Sequence, residues 1–248
     1  DNNNVDNVTP TLSVTLEGAG SDDVYNDAEI INSEVTATIT LDSTVAPGDI
    51  IEYTDGNGDP IASLPAHTVT AGDIANGSIS VQVPVASGDT RVELNATISD
   101  AAGNSSNGTD SKPVDNVTPQ LSVEIEGEGS AAYYDAAKVT NGQVKVTVKL
   151  TAGTVEEGDQ LVVKDNNGNI VVDRPVTQAE VTSGEAGILI SVATGQQTIN
   201  VEAIITDPAG NSSNDTDSKV ILSPELTIDT TTVDDTAGTI DISGSTTD

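Results

Sequence analysis

Asp100-Ala101-Ala102-Gly103-Asn104-Ser105-Ser106-Asn107 returns, 107 residues later, as Asp207-Pro208-Ala209-Gly210-Asn211-Ser212-Ser213-Asn214. The echo continues upstream. Asp6-Asn7-Val8-Thr9-Pro10 returns after 109 residues as Asp115-Asn116-Val117-Thr118-Pro119. Asp55-Gly56-Asn57-Gly58-Asp59 returns after 110 residues as Asp165-Asn166-Asn167-Gly168-Asn169, and Gly48-Asp49 as Gly158-Asp159. A fixed order at a period this long defines tandem domains, not a short-period solenoid. The copies share acidic turns rather than core segments, so each module keeps oxygen-rich chemistry at the same points.

Between the turns the chain alternates apolar and polar residues, the signature of half-buried strands. In the first repeat the expected strands are Thr11 to Glu17, Val35 to Leu41, Ile50 to Thr54, Pro60 to Leu64, Ser78 to Val85, Arg91 to Ser99 and a polar strand from Ser105 to Lys112. The second repeats them from Leu121 to Lys219. Only Thr70 to Asn76 and Thr177 to Thr182 could hold a helical turn. Seven strands per repeat predict an all-β chain of tandem immunoglobulin-like β-sandwiches. The expected domains are residues 1–112 (with 1–5 as a preceding linker), residues 113–222, and the opening strands of an incomplete third repeat over 223–248. That last piece is too short to build a sandwich alone. The chain opens mid-linker, as expected of a segment of a longer polypeptide.

Composition narrows the partners. The 248 residues carry 40 acidic and 8 basic side chains, a net charge of −32. That excludes nucleic acid and anionic membrane surfaces, which need clustered Lys and Arg, and points to cations. No apolar run is long enough to span a membrane. Cys, Met, Phe and Trp are absent, and there are four Tyr. No disulfide or thiolate site can form, and the core must be Val, Ile, Leu and Ala. The aromatic platforms on which sugars and bases stack are missing. No base accompanies a nucleophile, and His67 reads as a solvated loop residue, so no enzyme is expected.

On an immunoglobulin frame the acidic turns fall at the two ends of each sandwich. Asp100 to Asn104 joins the sixth and seventh strands at the upstream end, near Val45 to Asp49. Asp55 to Asp59, Glu17 to Asp23 and Ser87 to Asp89 lie at the downstream end. A short linker, Pro113 to Val117, joins one downstream end to the next upstream end. Asp115 and Asn116 are therefore expected near Glu17, Asp22, Asp55, Asn57 and Asp59 on one side, and near Asp159, Asp207 and Asn211 on the other. Asp6, Asp100 and Asn104 form the corresponding upstream set, and Asp165 and Asn167 the next downstream one. Calcium takes six to eight oxygens of this kind, whereas zinc and copper would want His or Cys. Asp-Gly-Asn-Gly is also an ordinary hairpin turn, since Asn, Asp and Gly tolerate positive φ. Both readings stand at this point.

The turn Asp-x-Ala-Gly-Asn-Ser-Ser, with the linker Val-Asp-Asn-Val-Thr-Pro, resembles the bacterial immunoglobulin-like repeats of large adhesins exported by type I secretion, the RTX adhesins. The resemblance covers both complete repeats and the opening of the third. It implies an extracellular, cell-surface extender from a Gram-negative bacterium, with a place in biofilms, that holds a distal binding domain away from the cell. It also implies calcium at the repeat ends, with Asp100, Asn104, Asp115, Asn116, Asp207 and Asn211 as ligands. The partners would be calcium and the neighbouring repeats of a monomeric chain. Ile221-Leu222-Ser223-Pro224 lacks the linker Asp, so a full calcium shell is not expected there. The alternative is a binding module that recognises a carbohydrate, protein or ice surface. Such a module should show loop insertions or exposed aromatics, yet the repeats match closely in length and Tyr133-Tyr134 is the one aromatic pair.

Overall fold

The computed structural model describes residues 5–126, 133–222, 225–234 and 239–247. Its contacts divide the chain into two compact units, Asp1–Thr118 with Ala209–Asn211, and Pro119–Pro208 with Ser212–Asp248. The first unit contains β1 (Leu12–Leu16), β2 (Glu34–Leu41), β3 (Ile50–Thr54), β4 (His67–Thr68), α1 (Ala71–Asn76), β5 (Ser78–Pro84), β6 (Arg91–Ser99) and β7 (Ser105–Pro113). They form two antiparallel sheets, β1-β2-β5 and β4-β3-β6-β7, the strand arrangement of an immunoglobulin-like sandwich.

The second unit repeats the pattern. It contains β8 (Leu121–Ile125), β9 (Tyr133–Asp135), β10 (Gln143–Leu150), β11 (Gln160–Lys164), β12 (Ile170–Pro175), α2 (Gln178–Ser183), β13 (Glu185–Ser191), β14 (Thr198–Thr206) and β15 (Ser212–Leu222). Its sheets are β13-β10-β8 and β12-β11-β14-β15-β9. Beyond them, β16 (Glu225–Asp234) and β17 (Thr239–Thr247) pair as an antiparallel hairpin within the expected third-repeat segment. Of the expected third-repeat segment 223–248, residues 223–224, 235–238 and 248 lie outside the described residues.

The alternation fixes which side chains are inside. On β6, Val92, Leu94, Ala96 and Ile98 are buried; on β14, Ile199, Val201, Ala203 and Ile205 are. Tyr25 and Tyr53 are the aromatic members of the first core, and Tyr134 of the second.

The polar last strands close the sandwich. β1 and β7 belong to different sheets, so no backbone ladder joins them. Instead the Asp110 carboxylate on β7 accepts the Leu16 N–H at 2.7 Å, and the Ser106 hydroxyl donates to the Pro10 carbonyl at 2.6 Å. In the second unit Asp215 and Asp217 accept the Val123 and Ile125 N–H groups at 2.9 and 2.8 Å, and Ser213 donates to Pro119. Alternate polar side chains thus serve one edge of the neighbouring sheet, which would otherwise carry open donors.

Two features depart from the sequence reading. Pro60 to Leu64 is not a strand. Pro60 makes only an isolated bridge to Thr54, and the Leu64 N–H turns back to the Ile61 carbonyl at 2.9 Å. A proline has no N–H to extend a ladder, and pairing resumes at the two-residue β4. In the second repeat the corresponding residues do form a strand, β12, which pairs with β11 from Gln160 to Lys164 with one register shift between Val163 and Lys164. The other feature is β9, which pairs parallel with Val220–Leu222 of β15. The first unit has the matching bridge Tyr25–Val114, with Tyr25 fully buried and its hydroxyl donating to the Glu17 carbonyl at 2.5 Å.

Gly108 faces the seam. A Cβ there would lie 2.8 Å from Leu12 Cδ1 and 3.0 Å from the Leu12 carbonyl oxygen. Gly108→Ala is expected to destabilise the first unit by about 1–3 kcal/mol, the usual cost of overpacking. Gly187→Ala, where the nearest atom is 3.8 Å away, should leave stability unchanged or raised. Urea unfolding of the two variants checks the contrast.

Candidate metal centre

Three of the predicted turns are built alike. In Asp55–Asp59, Asp100–Asn104 and Asp165–Asn169 the first N–H donates to the carbonyl of the fifth residue, and the glycine N–H returns to the first carbonyl. The fourth residue is a glycine at φ +85°, +90° or +76°, a conformation that costs other L-residues energy. In each turn one oxygen of the leading carboxylate accepts two backbone N–H groups at 2.8–2.9 Å. The other faces a carboxamide: Asn57 at 3.5 Å, Asn104 at 2.8 Å and Asn169 at 3.1 Å.

These donors favour the anion. The Asp100 and Asp165 carboxyls are held below the usual range, first by the carboxamides of Asn104 and Asn169 and then by backbone N–H groups. Asp55 is lowered too, first by the Asp59 N–H. The hairpin reading of these residues therefore has a definite structure. Asp55, Asn57 and Asp59 are joined by hydrogen bonds among themselves.

The first upstream set comes together as well. Asn104 Nδ2 reaches the Asp6 carbonyl at 3.3 Å as well as Asp100 Oδ2, which gathers Asp6, Asp100 and Asn104. The equivalent Asn211 donates to the Asp115 carbonyl at 2.8 Å. Residues 209–211 are counted with the first unit, where the buried Asn211 also accepts the Asp27 N–H at 2.8 Å. The Asp6 and Asp115 carboxylates accept the N–H groups of Val8 and Val117.

Other candidates lie elsewhere. Asn116 clips the turn before β6, accepting from Gly88 N–H at 3.1 Å and donating to the Ala86 carbonyl at 3.2 Å. Asp159 is buried and accepts the Glu156 N–H, as its counterpart Asp49 accepts that of Ala46. Asp22 caps the Val24 N–H at 3.4 Å, and Glu17 enters through its carbonyl, which receives Tyr25. Among the described residues no three His, Cys, Asp or Glu side chains converge as a metal cluster.

The fit to calcium can be judged from lone pairs. A carboxylate offers about four acceptor positions. Asp100 uses three on Ala102, Asn104 and the Asn104 carboxamide, so one oxygen position is left for an ion. A calcium shell there would need the Asp6 carboxylate and backbone carbonyls beside it. The donors are hard oxygens, which suits calcium, but Asp100 alone supplies one ligand of the six to eight.

No protein-family model and no curated protein matches the chain. Solved structures do. One is a Ca2+-stabilised adhesin with which an Antarctic bacterium binds ice, 24% identical over 86% of this chain and 50% of its own, with a TM-score of 0.40. A tetra-tandem repeat from the extending region of a large adhesion protein is 22% identical over 96% of this chain and 56% of its own, at 0.33. A bacterial immunoglobulin-like domain of the M. primoryensis ice-binding adhesin is 20% identical over 43% of this chain and 99% of its own, at 0.29. The chain thus spans about half the length of the first two.

The lowered carboxyls set a pH signature. A depressed folded-state pKa contributes stability that is present above the ordinary Asp range near 4 and is lost as pH falls through the folded value. Asp100→Ala should therefore destabilise the protein at pH 7, and by less at pH 3, below the ordinary Asp value. Chemical unfolding at the two pH values reads the difference.

Proposed function

We propose that this chain is a calcium-rigidified spacer of a bacterial cell-surface adhesin, exported by type I secretion from a Gram-negative cell, and that it performs no catalysis. In this reading residues 1–112 and 113–222 are two extender repeats, and the segment from 223 begins a third. Their role is to carry a distal binding domain away from the cell. One observation carries the proposal: the same repeat end is built twice. Asn104 holds the Asp6 carbonyl and Asn211 the Asp115 carbonyl, and the linker carboxylates of Asp6 and Asp115 accept the Val8 and Val117 N–H groups and keep further acceptor capacity.

Calcium bound there by Asp6 with Asp100, and by Asp115 beside Asn211, would draw its remaining oxygens from neighbouring carbonyls, Asn side chains and water. Extracellular sites of this kind work at millimolar calcium. The chain could then leave the cell unfolded and stiffen outside it. The net charge of −32 discourages adhesion between neighbouring chains and to anionic cell surfaces.

Calcium is expected to raise the melting temperature well beyond magnesium at matched ionic strength. An ion that binds only the folded state stabilises by about 2.7 kcal/mol at a hundredfold excess over its dissociation constant. Asp6→Ala and Asp115→Ala should each reduce the calcium-induced shift. Melting curves in calcium, magnesium and chelator test this; equal shifts with both ions would reduce the effect to screening and overturn the reading.

A further inference from the structure

Both repeats carry a basic side chain as a pin beside their short helix, and the two pins differ in one chemical respect. In the second repeat Arg174 stands three residues before Thr177, the N-cap of α2. Its guanidinium meets the Glu180 carboxylate through two bonds of 2.9 and 2.6 Å. Glu180 also accepts the Thr177 N–H and hydroxyl, at 3.0 and 2.8 Å. In the first repeat His67 stands three residues before Thr70, the N-cap of α1. Its Nε2 lies 2.9 Å from Asp73 Oδ2, and that oxygen accepts the Thr70 N–H and hydroxyl at 2.8 Å each. His67 pairs in register with buried Ile51, and Arg174 with buried Leu161. Both basic side chains therefore leave the inner face at the sheet edge.

A guanidinium keeps its charge at any pH a folded protein meets, whereas histidine changes charge between about pH 5 and 8. We propose that the His67–Asp73 contact is a proton-operated pin: α1 is held by an ion pair when the imidazole is protonated and by a neutral hydrogen bond when it is not, while α2 is held by a permanent ion pair.

The charged and phenolic neighbours keep their state across that range. Asp73 and the Thr70 cap face it from α1. The Asp73 carboxyl is pushed down to about 2, first by the His67 hydrogen bond and then by those of Thr70, so it stays anionic. Tyr53 shares the inner face of β3; burial, and then the Asp73 carboxylate, push its phenol up to about 12, so it stays neutral. Glu52 lies on the opposite, exposed face, and the buried Asp49 turns its carboxylate to the Ala46 N–H. The sign follows. The hold on α1 is strongest on the acid side of the histidine range and weakens as pH rises through it. The part due to Asp73 is lost only as pH falls towards 2.

The test is amide hydrogen exchange on the whole chain between pH 5.5 and 8.0, corrected for intrinsic rates. The Gly77 N–H, bonded to the Asp73 carbonyl at 2.8 Å, reports on α1; the Gly184 N–H, bonded to the Glu180 carbonyl at 2.8 Å, reports on α2. Gly77 protection should fall about two- to fivefold on going to pH 8, the scale of a part-exposed ion pair, while Gly184 protection stays level. His67→Arg should abolish the fall, and Arg174→His should transplant it to Gly184. Asp73→Asn, which keeps a capping group but removes the charge, should also abolish it. Parallel Gly77 and Gly184 profiles in the parent protein, or a fall that survives both His67→Arg and Asp73→Asn, would overturn the proposal.

Discussion

A backbone N–H withdrawn from water must find an acceptor, and at the irregular points of this chain the acceptor is repeatedly a carboxylate. Asp110, Asp215 and Asp217 receive the first strand of each sandwich. Asp55, Asp100 and Asp165 close the hairpin turns. Asp49 and Asp159 hold the loops ahead of β3 and β11, Asp89 the turn ahead of β6, and Asp73 and Glu180 cap the helices. Hydrogen bonds to charged groups are stronger than neutral ones. A chain without disulfides and nearly without aromatic packing gains rigidity at its loops from them.

The acidity of the chain thus has two origins that composition alone merges. Some carboxylates are part of the folded frame, and their charge is already opposed by several N–H dipoles. Others, such as Asp6 and Asp115, touch a single donor among the described residues and keep most of their acceptor capacity. The second kind has more room for a cation, and the first has what its N–H partners leave over. In the Asp55 and Asp165 turns the spacing that suggests convergent ligands instead reflects the reach of one carboxylate to the N–H groups two and four residues on.

The strands were legible because burial imposes a period of two. Val92, Leu94, Ala96 and Ile98 can be read directly as one face of β6. The polar strands were legible as strands but not as seams, since Ser106 and Asp110 reveal their role only when β1 crosses them. The broken ladder after Asp59 had a visible signal in Pro60. The parallel pairing of Tyr133–Asp135 had none, because a three-residue strand leaves no periodicity. Of the metal candidates, the grouping of Asp6 with Asp100 and Asn104 followed from topology. The use of Asn116 as a clip depended on a turn 28 residues away. His67 read as a solvated loop residue because its counterpart is not a histidine; Arg174 takes the same place three residues before the N-cap.

Comparison of the two units separates what is repeated from what is free to vary. The outer face of β1-β2-β5 presents Ser13, Thr15, Thr36, Thr38, Thr40, Ser80 and Gln82. The matching face of the second unit carries Lys145 against Glu126 and Lys149 against Glu124. Hydroxyls and exposed ion pairs are different answers to one requirement, a solvated sheet face without an apolar patch. The closing carboxylates, the positive-φ glycines and the linker-binding Asn recur at equivalent places while these faces do not. A module that recognises a ligand with its sheet would need the face itself to be specified. A module whose task is to extend needs only the frame, and the frame is what the two copies have in common.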